Sequence, residues 1–141
     1  MKPITIVPPL YLVSACLAGF CTRFDGKLKP SESCRLALAD GIWIPVCPEQ
    51  LGGLSTPRPA ADIVGGDGED VLAGRAPVIN AAGVNVTENF LGGAEQVLAL
   101  ARSQPVTAIF LKAGSPSCGL TPKIGVAAAL LLSCGFTVRE F

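Results

Sequence analysis

Ala108-Ile109-Phe110-Leu111, followed shortly by Ser115-Pro116-Ser117-Cys118-Gly119, is the stretch that sets the architecture. An apolar run of strand length leads into a tight turn of small residues that carries a thiol. The plan occurs twice more, in Leu12-Val13-Ser14-Ala15-Cys16 and in Ile42-Trp43-Ile44-Pro45-Val46-Cys47. Helical patterns lie between these runs. Pro30-Ser31-Glu32-Ser33 is a helix start, with Leu36, Ala37 and Leu38 continuing towards a Gly41 stop. Thr87 is placed to cap a helix from Glu88 to about Ser103, whose apolar face is Phe90, Ala94, Val97, Leu98 and Ala101. Ile124 to Ser133 forms another, stopped by Gly135, and 136–139 a last strand. From Cys47 to about residue 85 the chain is rich in glycine and proline and reads as one long loop with at most short elements, including a strand at 76–80. A loop of that length inside a compact chain is functional or mobile. Pro45 keeps its strand short or near a sheet edge.

Apolar strands alternating with helices predict an α/β fold: one domain over residues 1–141, with a mostly parallel sheet covered by helices on both faces, Rossmann-like. Ligands in such sheets bind beyond the carboxyl ends of the strands. Cys16, Cys47 and Cys118 all follow strands, so the topology gathers them on one edge.

Composition narrows the chemistry. Of 141 residues, 50% are apolar and 16% charged, enough to bury a core. Net charge is zero and no basic block is present, which argues against a nucleic-acid polymer as partner. No run reaches the roughly 20 apolar residues of a membrane span. Lys2, the apolar stretch after it and Val13-Ser14-Ala15-Cys16 resemble a lipoprotein signal, but Pro3, Pro8 and Pro9 break the helical segment such signals need. The expected compartment is the reducing cytoplasm, where cysteines bind metal or react more often than they form disulfides. There are six cysteines and no histidine, so the commonest zinc ligand and the usual general base are both missing.

Three converging thiolates make a soft, anionic site suited to an iron–sulfur cluster, zinc or copper(I). No C-x-x-C pair closes a zinc knuckle, and the Cys16-to-Cys21 spacing does not match electron-carrier ferredoxins. A cubane held by three cysteines leaves one iron open to a substrate atom. One cysteine after a strand reads most simply as a small packing residue; three at the same place in successive units read as a site. Cys134, in an apolar helix, is expected in the core and Cys34, in a short amphipathic helix, to be structural, whereas Cys21 shares a polar loop with Arg23 and Asp25 and is open to a supporting or ligating role. Glu49, two residues after Cys47, is a candidate base. Ser115 and Ser117 can orient water or relay a proton, and Lys112 and Lys123 can offset anionic charge or sit on the surface. Gly92-Gly93 permits close backbone approach. No phosphate-binding glycine signature is present.

At these residues the chain resembles the thiouracil desulfidase family, small bacterial iron–sulfur proteins formerly known only as a domain of unknown function. The resemblance is carried in order by Ser14 to Cys21, Arg23-Phe24-Asp25-Gly26, Cys47-Pro48-Glu49, Gly52-Gly53-Leu54, Pro57-Arg58, Val86-Thr87, Gly93-Ala94 and Leu111-Lys112 running into Ser115 to Gly119. It implies a [4Fe–4S] cluster held by Cys16, Cys47 and Cys118, with the fourth iron binding the sulfur of a thiolated nucleobase such as 2-thiouracil. Glu49 and Ser115 would assist water attack and proton transfer, with Ser117, Arg23 and Asp25 as substrate contacts. Sulfur would leave onto the cluster, giving uracil and sulfide without net redox change, in a monomer or homodimer. Relatives carry an aspartate- and glycine-rich loop after the Ser-Pro-Ser-Cys turn; here Leu120-Thr121-Pro122-Lys123 joins that turn almost directly to the last helix. The alternatives are a carrier that holds a metal or cluster without turnover, and a structural or lipid-anchored protein.

Overall fold

The computed structural model describes residues 7–141, so Lys2 and Pro3 of the signal-like segment lie outside the described residues. The chain runs β1 (Leu10–Ser14), α1 (Glu32–Leu38), β2 (Ile42–Val46), α2 (Pro48–Leu51), β3 (Ala61–Ile63), α3 (Gly68–Leu72), β4 (Val78–Asn80), α4 (Thr87–Ser103), β5 (Ala108–Leu111), α5 (Val126–Ser133) and β6 (Val138–Glu140). Local chemistry accounts for most boundaries. Ser31 caps α1 by accepting from the Cys34 amide, and Asp67 and Asp70 form a reciprocal capping box on α3. Pro48 opens α2 at a position that needs no amide donor. Gly135, at φ 87°, ends α5 in the left-handed region. Thr87 departs from expectation. It is the first residue of α4 and makes no cap; its hydroxyl instead donates to Asn85 and accepts from the Val78 amide.

β1, β2, β5 and β6 form a parallel sheet in the order β2-β1-β5-β6, while β3 and β4 make a separate antiparallel pair. Pro45 falls opposite Val13 on the outer strand β2, where a residue without an amide donor is tolerated. Alternate residues face opposite ways. Leu12, Ile109 and Leu111 pack on Val97, Leu98 and Ala101 of α4 and on Ala128 and Leu131 of α5. Tyr11, Val13, Ala108 and Phe110 face the other way, onto Cys34 and Leu38 of α1. Each such Leu, Ile or Phe, fully buried, contributes about 1.5–3 kcal/mol. The far side of α4 and α5 is covered by Ile63, Val71 and Val78, which gives the glycine-rich middle of the chain its own small core.

Successive strands leave β1 towards β2 and leave β5 towards β6. The direction of winding therefore switches between β1 and β5, and a crevice opens there beyond the strand ends. The Lys112 amide donates to the Ser14 hydroxyl across that point at 3.1 Å. On the next level, α2 lies directly on α4. A β-carbon on Gly93 would collide with the Pro48 carbonyl, and one on Gly52 with the Asn89 carbonyl. Glycine at 93 thus permits the close approach expected of it, towards another helix.

Two predictions follow from these contacts. Gly93→Ala lowers stability by about 1–3 kcal/mol because a backbone carbonyl cannot rotate away, whereas Gly92→Ala, with open space around it, is neutral or raises stability by up to about 1 kcal/mol; denaturant midpoints of the two variants separate the cases. Glu140 pins the turn after Cys118 by accepting from the Thr121 hydroxyl at 2.7 Å and from the Leu120 and Thr121 amides. The Thr121 hydroxyl first, then the amides and Lys112, hold its carboxyl below the usual range. The stabilisation is present above the unfolded carboxyl's titration and lost as pH falls through the lowered folded one, so amide protection factors at 120 and 121 drop only in acid.

Candidate active site

The crevice is a cavity of about 320 Å³ whose wall includes Cys16, Cys47 and Cys118, each delivered by the end of a different strand. Cys16 follows β1, Cys47 occupies the cap position of α2 after β2, and Cys118 sits in the turn after β5. The last turn is fixed by α5. The helix's first amides, at Val126 and Ala127, donate to the carbonyls of Pro116 and Ser117, which satisfies donors that every helix start leaves without partners. Cys118 is 4% exposed, while Cys16 and Cys47 are half-buried.

Cys16 and Cys118 both feel the neighbouring Cys47. Burial raises the Cys16 thiol and the neighbouring Cys47 raises it further, against Lys112 and Arg23. Burial pushes the Cys118 thiol up to about 12; Ser14 and Ser117 pull the other way by hydrogen bonding, and Glu49 and Cys47 add to the rise. Burial thus favours the neutral form of the Cys16 and Cys118 thiols, and a cationic group draws thiolates from them. Among the described residues no three of His, Cys, Asp and Glu gather round a single point that could hold one metal ion. Zinc or copper(I) would require such a point, with ligand bonds of about 2.0–2.3 Å. A cubane does not, because each thiolate bonds a different iron. Three thiols on one wall, with no histidine in the chain, are a donor set whose chemistry suits an iron–sulfur cluster.

Glu49, on the first turn of α2, lies on the same wall and is 13% exposed. Its Oε1 accepts from Arg58 Nε at 3.0 Å and its Oε2 accepts from the Ser117 hydroxyl at 3.0 Å. Ser115 Oγ accepts from the Ser117 and Cys118 amides at 3.2 and 3.1 Å and lies 3.0 Å from Ser117 Oγ. Because Ser117 gives its proton to the carboxylate, Ser115 gives its own to Ser117. Ser117 also approaches Cys118 Sγ at 3.7 Å, but the nearer, charged acceptor is favoured. The chain Ser115–Ser117–Glu49 is thus polarised in one direction.

Arg58 is the member that residue-level reasoning missed. Only 5% exposed, it donates to Glu49, to Thr22 O at 3.0 Å, and to Ser55 O and Thr56 Oγ1. An arginine in a glycine- and proline-rich loop close after a candidate carboxylate was the available signal. Ser14 was missed as well; it is a buried serine that ends β1 two residues before Cys16.

Of the remaining expected residues, Arg23 lies on the wall and Asp25 does not. Asp25 grips Arg23 through two bonds of 3.2 Å, so it acts by orienting that guanidinium. Lys112 is on the wall, whereas Lys123 pairs with Asp62 and donates to Ile63 O elsewhere. Cys21 is exposed and off the wall. Cys34 is buried under α1, its thiol raised to about 11 chiefly by burial. Cys134 corrects an expectation: it is exposed at the end of α5 and takes a bond from Arg102, because the helix stops just as its buried side turns away. In the cluster-free protein at mildly alkaline pH, iodoacetamide modifies Cys21 and Cys134 first and Cys34 and Cys118 last, as read by peptide mass spectrometry; early labelling of Cys118 would contradict the burial described.

Comparison with known proteins gives a consistent picture. The family model described as 2-thiouracil desulfurase matches residues 11–138. A Bacillus subtilis (strain 168) protein known as the uncharacterized protein YbbK is 43% identical, with the match covering 92% of this chain and 93% of that one. The solved structure of the [4Fe-4S]-dependent thiouracil desulfidase TudS superposes with a TM-score of 0.77 at 34% identity, over 94% of this chain and 90% of that chain. With its parallel sheet, its three strand-end thiols and a match that runs nearly end to end, the chain belongs to the 2-thiouracil desulfurase family.

Proposed function

We propose that this protein is a [4Fe–4S]-dependent desulfidase that converts the thiocarbonyl of a thiolated pyrimidine, such as 2-thiouracil, to a carbonyl. The reaction takes up one water and releases the sulfur as hydrogen sulfide, so C=S becomes C=O with no change of oxidation state. One observation carries the reading: three strand-end thiols and a polarised Ser115–Ser117–Glu49 chain share one cavity.

Cys16, Cys47 and Cys118 would hold the cluster, which when bound supplies an open iron as a soft Lewis acid and sulfur acceptor. Everything else is the work of the chain. Glu49 is the general base, its Oε1 tethered by Arg58 so that Oε2 faces the serines. A proton removed from the attacking water reaches Oε2 directly or through Ser115 and Ser117, each hydroxyl passing on one proton as it receives another. The same route run backwards returns a proton to the departing sulfur. Lys112 and Arg23 lower the cost of negative charge near Cys16. Ala15, Ala60 and Ala113 line the remaining wall with small apolar groups that limit competing water. Among the described residues no helix is long and apolar enough to cross a membrane, and we place the protein in the reducing cytoplasm, acting on a free small molecule.

The test is anaerobic purification or reconstitution, with assays of iron, labile sulfide and sulfide released from 2-thiouracil. Single serine replacements at Cys16, Cys47 and Cys118 diminish cluster absorbance, whereas Glu49→Gln retains the cluster and loses about 10²–10⁴ in kcat. A protein that takes up no iron would sink the proposal. A loaded protein that releases no sulfide from any thiocarbonyl would leave a carrier.

A further inference from the structure

We infer that Phe24 is the stacking platform for the substrate ring, and so selects a flat, aromatic thiocarbonyl; this rests on the desulfidase reading above. Among the described residues Phe24 is the one aromatic side chain on the wall of the cavity that holds the three thiols and Glu49, the rest being small aliphatic, hydroxyl, thiol and charged groups. Its side chain is 40% exposed and belongs to none of the three apolar cores. A large apolar ring left uncovered beside a catalytic cavity, and contributing little to folding, is surface available to a ligand.

The loop that carries the ring is held from several sides. The Phe24 carbonyl accepts from the Arg58 amide at 2.8 Å, and the Gly26 amide closes a turn onto the Arg23 carbonyl at 2.9 Å. Arg23 is locked by two bonds to Asp25, and its guanidinium carbon sits 5.9 Å from the Phe24 ring centroid. A cation over one part of an aromatic face orders the ring and extends it into a wider flat surface. The platform therefore exists before substrate arrives, so little ordering remains to be done on binding. It shares its arginine with the network that orients Glu49: one residue, Arg58, sets both the base and the backbone of the ring.

A pyrimidine stacks on phenylalanine through either π-face, and loss of such a contact weakens binding roughly 10- to 100-fold. Dihydrouracil offers the same hydrogen-bonding edge on a puckered, non-aromatic ring and forfeits that contact. The test uses the cluster-loaded enzyme and its Phe24→Leu and Phe24→Tyr variants. Steady-state kinetics with 2-thiouracil are set beside calorimetric binding of uracil and dihydrouracil, with cluster absorbance as the check on folding. Phe24→Leu raises KM for 2-thiouracil by roughly 10-fold or more with kcat within about threefold, and erases the preference for uracil over dihydrouracil. Phe24→Tyr stays near the unaltered enzyme. An unchanged KM in Phe24→Leu, or equal loss of uracil and dihydrouracil, overturns the platform while leaving the desulfidase reading intact. Failure of the unaltered enzyme to release sulfide from 2-thiouracil overturns both.

Discussion

The whole arrangement depends on the pairing of β1 with two parallel neighbours at once. Its register sets Ser14 opposite Val46 on one side and Val13 opposite Phe110 on the other. That alignment is enforced by burial on both faces. A slip of one residue would turn Leu12 towards the layer of α1 and Val13 towards α4, exchanging every core partner. Because the strands end together, whatever follows them begins together. The site is thus a by-product of sheet register, and residues roughly a hundred positions apart become neighbours through it.

On that frame the chemistry is built from groups that are costly to leave alone. Burial makes the Cys16 and Cys118 thiols resist ionisation, and the carboxylate of Glu49 is nearly enclosed. The enclosure is tolerable because Arg58 is enclosed with it, and breaking such a buried pair costs about 3–5 kcal/mol. The serines finish the satisfaction of the carboxylate and give the proton path a direction. Each polar group here answers the desolvation of another, which is how so small a chain can enclose so many of them in one cavity.

Much of this was legible in the chain. The run-then-cysteine theme marked the strands, their parallel order and the three thiols, because buried parallel strands are continuous apolar segments and need no distant information to be recognised. α4 was legible through its apolar face. Between residues 47 and 85 only β4 was legible, inside the strand expected at 76–80; β3 and α3 were not, because they gain their stability from packing on the back of α4 and α5, and pieces of three to five residues carry little periodicity of their own. Cys134 misled for a related reason: an apolar helix says that it is buried without saying where its covered side ends. The direction of the serine chain and the grip of Arg58 are facts of side-chain geometry that no spacing encodes.

Thr22 leads to one last point. Its carbonyl receives both the Arg58 guanidinium and, at 3.9 Å, the Cys47 thiol. Were that thiol to lose its proton it could no longer donate, yet the carbonyl would keep the stronger, charged donor. The segment around Thr22 is therefore anchored by Arg58 whatever becomes of the Cys47 proton.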